Sequence, residues 1–251
     1  MTTGRRDGPP GAGRPDCWVD NDHYGATESV LDHLVGQGAR RVGLVTTAPV
    51  TSFVRDAVAG YEDWCAQHGQ KPLIATVEGP INEGSGSRAA GELLDLPEPP
   101  DAIYATLDQL ALGALLAARE RSLDVPGQLM VAGCTDSHAS AWADPPLTAV
   151  TLNPEEIGRS AVASLIGQRF GTGNDYRALF TRVANEAFQA APDLVDAASR
   201  DLQVIVRSDP AITGMLPPFL NYKGYVALQA WRVSHWLWEH GRTDLARLTD
   251  R

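Results

Sequence analysis

The sequence is poor in cysteine, in long apolar runs and in basic residues. Its three cysteines, Cys17, Cys65 and Cys134, stand far apart and form no C-x-x-C pair. That spacing argues against a disulfide framework or a structural zinc site and fits free thiols in a reducing compartment. No apolar run approaches the ~18–20 residues that a bilayer-spanning helix needs. Lys+Arg number 21 against Asp+Glu 31, a formal net charge of -10. An acidic balance argues against a surface that coats nucleic acid, because phosphate contacts need a local excess of Lys and Arg. Residues 1–16 are rich in Gly, Pro and Arg but lack the apolar core of a signal peptide, so a disordered lead-in is expected. The expectation is a soluble cytoplasmic protein that partners neither membrane nor nucleic acid.

What is present divides the chain in two. At 251 residues and 43% hydrophobic, it has the material for one large domain or two modest ones. From residue 17 to 168 short apolar runs alternate with amphipathic stretches. Runs at 42–45, 73–77, 102–105 and 129–132 have the length and composition of buried strands. Between and around them, 24–37, 52–68, 85–94, 109–121 and 153–166 carry helical spacing. Parallel strands need crossover helices, so this order predicts a Rossmann-like α/β lobe with helices on both faces of its sheet. Gly167, Gly171 and Gly173 then suggest a linker at 169–175. Beyond it, 176–189, 192–207 and 223–240 read as helices with no strand between them, a small all-α module at 176–251. In its last helix Leu228, Trp231, His235 and Trp238 share one stripe, and the two tryptophans are expected in the core. His235 is expected in the core or at an interface.

The first region resembles the effector-binding core of the LacI/GalR family of bacterial transcription regulators. Val19-Asp20-Asn21-Asp22, then Gly25 and His33-Leu34, open the match. Pro100-Asp101-Ala102-Ile103-Tyr104-Ala105 leading into Asp108-Gln109-Leu110-Ala111-Leu112-Gly113 is its most specific part. Val125-Pro126, Leu129–Gly133, Pro145-Pro146-Leu147-Thr148 and Ile157-Gly158 follow in order. The resemblance implies a lobe that helps to close on a small molecule, often a sugar or purine, with contacts from strand ends. Asp108 could accept from a ligand hydroxyl or cap its own helix through Leu110 or Ala111. The family's Asp after the glycine of the fourth strand is replaced by Thr135, with Asp136 next to it as a substitute. The family's arginine near the Gly60-Tyr61 pair is replaced by Ala57; Arg55 nearby could reach a ligand carboxylate or stay solvated. The family's DNA-reading domain and most of its first lobe would precede this sequence, so millimolar binding, ~4 kcal/mol, is expected of one lobe.

From about Asn185 the tail resembles the helical N-terminal domain of serine acetyltransferase. Glu186-Ala187-Phe188, Pro192-Asp193-Leu194, Asp201-Leu202-Gln203 and Asp209-Pro210-Ala211 keep that family's order. Lys223-Gly224-Tyr225, Ala227-Leu228-Gln229-Ala230 and His235-Trp236-Leu237-Trp238 complete it. The resemblance implies oligomer contacts through the helical tail and a serine contact at Asp209, whose other reading is a turn aspartate before Pro210. Acetyl-CoA would be a co-substrate of the resembled enzymes, and no cofactor is expected here. Their catalytic residues belong to a β-helix that would follow Arg251, so no catalytic residue is assigned and inactivity of the chain alone is expected. Ser137, His138 and His68 lack a G-x-S-x-G frame. Gly84, Gly86 and Gly91 do not form G-x-G-x-x-G and are expected to open a helix. No metal site is expected. Three functions remain open: an acetyltransferase fragment, a small-molecule-sensing core with an oligomerising tail, and a fusion of two gene fragments without a dedicated function.

Overall fold

A computed structural model describes residues 19–170 and 174–249. The expected lead-in at 1–16, Cys17 and the centre of the expected linker lie outside those residues. Contacts divide the described chain into two units, one over 20–152 and one from Asn153 onward.

The first unit runs α1 (His23–Gly36), β1 (Val42–Thr47), α2 (Ser52–Gln67), β2 (Ile74–Val77), α3 (Glu83–Leu94), β3 (Ala102–Ala105), α4 (Asp108–Glu120), β4 (Met130–Cys134), α5 (His138–Ala141) and β5 (Thr148–Val150). The five strands pair in parallel in the order β2-β1-β3-β4-β5. Alternation along each strand explains two cores. Val45, Ile103, Ala105 and Val131 face α3 and α4, whereas Val42, Leu44, Tyr104 and Ala132 face α1 and α2. Each fully buried aliphatic chain of this kind contributes ~1.5–3 kcal/mol. The α/β lobe expected from the sequence is present, with the additional short elements α5 and β5.

Small residues set the helix spacing. A Cβ on Gly113 would lie 2.5 Å from the backbone of Glu83 and Ser87, and one on Gly86 would lie 2.8 Å from Cα of Leu110. These two glycines therefore let α3 and α4 touch. Helix α3 is opened by Asn82, whose side chain accepts from the Ser85 N–H at 2.9 Å while Ser85 bonds back to Asn82. Gly84, Gly86 and Gly91 all fall inside this helix, and Gly86 is a packing glycine.

The second unit is helical: α6 (Pro154–Phe170), α7 (Asn174–Ala190), α8 (Pro192–Ser208), α9 (Leu216–Asn221), α10 (Lys223–Glu239) and α11 (Thr243–Thr249). Ala163 and Ile166 of α6 join Val183, Ala187 and Phe188 of α7 and Val233 and Leu237 of α10 in one core. Gly167, read above as part of a loop-like stretch, sits inside α6, where a Cβ would approach the Arg177 carbonyl at 2.7 Å. The unit thus begins upstream of the expected linker. The expectation for Trp231 and Trp238 fails: they are 55% and 52% exposed. Helix α10 carries two apolar stripes, and Val226, Ala230, Val233 and Leu237 are the one turned inward. Among the described residues no helix is long and apolar enough to cross a membrane.

Candidate functional site

Strand order fixes where a ligand crevice can form. The chain moves from β1 to β2 on one side and then to β3 on the other, so the connections leaving β1 and β3 diverge at their carboxyl ends. Thr46 and Thr106 close the floor of that divergence, their buried hydroxyls 3.1 Å apart. The Thr106 N–H donates to the Val45 carbonyl at 3.0 Å, which extends the β1–β3 ladder to the crevice.

Past β1, the turn 48–51 leads into α2, with Val50 79% exposed at its tip. Arg55, one turn into α2, donates from Nη1 to the Val50 carbonyl at 3.3 Å. Its Nε is buried and lacks a hydrogen-bond partner among the described residues. Arg55 is thus neither fully solvated nor fully satisfied. Past β3, Leu107 is the N-cap of α4 and Asp108 is the first helical residue. The half-buried Asp108 carboxylate accepts from the Gln109 N–H at 2.8 Å, not from Leu110 or Ala111 as a capping aspartate would. The capping geometry expected from the sequence is therefore absent. The carboxylate still lies at the helix N-terminus, where the dipole favours negative charge.

Thr135 and Asp136 follow β4, one strand further along the sheet. Thr135 has φ of 98°, the left-handed side that non-glycine residues rarely adopt, and its N–H donates to Val150 at 3.1 Å. Asp136 is exposed. Ser137 accepts from the Ser140 N–H at 3.2 Å and opens α5, and among the described residues no hydrogen bond pairs it with His138. Arg55, Asp108, Thr135 and Asp136 therefore share the carboxyl edge of one sheet.

A cluster that sequence reading missed lies at the start of α1. His23 is buried, with its ring centroid 5.6 Å from that of Phe53. Burial pushes its pKa below the ordinary 6.5, and Asp20, Asp56 and Asp22 oppose that shift. Asp56 is itself buried. The D-N-D run before the first helix was a visible signal, but nothing in the sequence brings Asp56 back to it.

Asp209 lies in the helical unit. Its Oδ1 accepts from the Ala211 N–H at 3.0 Å and its Oδ2 from the Tyr222 hydroxyl at 3.2 Å. This is the turn role, fastened to the residue before α10. A cavity of about 410 Å³ opens beside Tyr222 between Val204, Ile205, Tyr225 and Leu228. A second cavity, about 530 Å³, is bounded by His33, Pro126, Met130, Pro145 and Thr148. It sits at the amino ends of β4 and β5, away from the candidate residues. Among the described residues no group of three His, Cys, Asp or Glu could hold a metal.

Comparison with known proteins matches this sheet and its edge. Residues 31–177 match the family described as periplasmic binding protein-like domain. The chain belongs to that family. The HTH-type transcriptional repressor CytR of Escherichia coli (strain K12) is 32% identical over 163 residues, 62% of this chain and 47% of its own length. A LacI-family regulatory protein from Chloroflexus aggregans superposes with a TM-score of 0.58 at 25% identity, covering 66% of this chain and 62% of its own. Residues 142–230 match the family described as serine acetyltransferase, N-terminal. The Escherichia coli serine acetyltransferase is 35% identical over 98 residues, 39% of this chain and 36% of its own length. The chain thus spans about half the length of the regulator and about a third of the enzyme. In this periplasmic binding protein-like chain the two family matches overlap at 142–177, so α6 lies within both.

Proposed function

We propose that this chain is a small-molecule-sensing core of the LacI/GalR type joined to a self-associating helical module. The effector would sit at the carboxyl edge of the sheet, over the Thr46–Thr106 hydroxyl pair. That pair carries the reading: two buried hydroxyls at the point where strand order reverses, with Asp108 opening the next helix, is where open α/β sheets take ligands. Asp108 would accept from a ligand hydroxyl or amine, and the buried Nε of Arg55 would gain a ligand oxygen as its missing acceptor. Thr135 and Asp136 would meet the far end of the ligand. Thermal-shift screening with sugars, nucleosides and amino acids at tens of millimolar tests this. A ligand that binds the folded state at about 100 times its Kd raises stability by ~2.7 kcal/mol. No shift with any class would count against the reading.

A second reading, acetyl transfer to serine, is favoured by the similarity over 142–230 and by Asp209. The side chains around Asp209 do not support it. His240, just past α10, bonds the Trp236 carbonyl through Nδ1 at 2.8 Å, and His235 stacks on Trp231, so among the described residues neither histidine is paired with Asp209. A positioned general base is worth ~10²–10⁴-fold in such chemistry. The helical unit instead serves association. Acetyl-CoA consumption by these 251 residues with L-serine is expected to equal the blank; a rate above it would restore the enzymatic reading.

A further inference from the structure

His23 is only 7% exposed, yet no hydrogen bond joins its ring to any other described residue. Burial pushes its pKa below 6.5, so above that pH the ring is neutral, with one N–H donor and one bare acceptor nitrogen. Two periodicities place it. Thr27, four residues on, shares its face of α1, and the Thr27 hydroxyl lies 3.5 Å from the Tyr104 hydroxyl of β3. His23 stands one turn, about 5.4 Å, nearer the start of α1. That start is at the carboxyl edge, because the ring meets Phe53 just past the end of β1. Thr106 lies two residues beyond Tyr104 on the same side of its strand, about 7 Å nearer that edge. The His23 ring therefore comes level with the Thr46–Thr106 pair. Two hydroxyls carry two protons and the bond between them uses one, so the other has no acceptor among the described residues.

We infer that His23 and the Thr46–Thr106 pair form a subsite that selects an effector by one uncharged hydroxyl group. This rests on the reading of the carboxyl edge as an effector site, and it names the residues that choose among effectors. A hydroxyl both donates and accepts, so it takes the spare threonine proton and gives its own to the bare ring nitrogen. A carboxylate only accepts, and here it would meet the charges of Asp20, Asp22 and Asp56, which act on this same ring. An ammonium only donates and would leave the threonine proton without an acceptor. Phe53, its ring centroid 5.6 Å from that of His23, walls the subsite with an apolar face for the carbon that bears the hydroxyl. A site built around a ligand hydroxyl rejects the analogue that lacks it, because its own buried polar groups are then left unpaired.

Calorimetric titration of the intact chain decides it, with compounds paired so that each pair differs by one hydroxyl: D-ribose and deoxyribose, uridine and deoxyuridine, L-serine and L-alanine. In one of these pairs the hydroxyl form should bind at least about tenfold tighter, and the pair that responds names the source of the hydroxyl. His23→Leu and Thr106→Val should each abolish that preference. His23→Gln, which keeps a donor and an acceptor, should hold the affinity to within about threefold of wild type. Circular dichroism checks that each variant is folded; if His23→Leu is not, Thr106→Val and His23→Gln carry the test. Binding that is equal within every pair, or a preference that survives Thr106→Val, overturns the subsite and leaves the effector edge standing. No heat from any of these compounds overturns the subsite and, together with a blank thermal-shift screen, the reading beneath it.

Discussion

His23 shows how one residue can tie stability to pH. It is buried beside Phe53, with its pKa held below 6.5 by burial against the pull of three aspartates. The folded state therefore binds this proton less readily than the unfolded chain. Its contribution to stability is present above about pH 6.5 and is lost as pH falls from there through the folded-state pKa. The slope this one site adds cannot exceed ~1.4 kcal/mol per pH unit. Urea unfolding of the wild type and of His23→Gln across pH 5 to 8 should show a steeper loss of stability on acidification in the wild type. Parallel curves would contradict this. At the same scale, residue identity was legible and local geometry was not. The position of Asp108 at the end of the third strand followed from the order of apolar runs. Its hydrogen bond to Gln109, in place of a cap, depends on Leu107 taking the N-cap position. The buried Nε of Arg55 depends on how the turn at 48–51 folds back, which no spacing rule encodes.

At the scale of elements, helix contacts rest on glycines. Gly113→Ala would drive a Cβ to 2.5 Å from backbone atoms of α3, and no side-chain rearrangement can relieve a backbone clash. A loss of ~1–3 kcal/mol is expected in chemical denaturation, with the same direction for Gly86→Ala. Unchanged midpoints would mean that α3 and α4 can separate freely. Gly36→Ala is the control, since a Cβ there meets nothing within 4 Å. The strands and most of the helices could be located from periodicity because a buried strand and an amphipathic helix have different repeats. Periodicity could not orient α10. Leu228-Trp231-His235-Trp238 and Val226-Ala230-Val233-Leu237 both satisfy helical spacing, and larger side chains made the first stripe look like the core. The inward choice went to the smaller residues, which allow α10 to approach α6 and α7.

At the scale of the whole molecule, α6 is where the two family matches overlap. It lies in both family matches, yet its Ala163, Ile166 and Gly167 pack with α7 and the helical core. The sequence marked a change of character near Gly167 because strands cease there. The boundary in contacts comes earlier, at Asn153, because a helix can serve either neighbour without changing its own pattern. On the proposed reading, the sheet's carboxyl edge binds a small polar molecule through Asp108. Calorimetric titration of the intact chain with the ligand class that stabilises it, alongside Asp108→Asn, tests this most directly. The expected result is saturable heat with a Kd of about a millimolar for the wild type and at least tenfold weaker binding for the variant, a loss of ~1.4 kcal/mol or more. Equal affinities in the two proteins, or no heat from either, would contradict it.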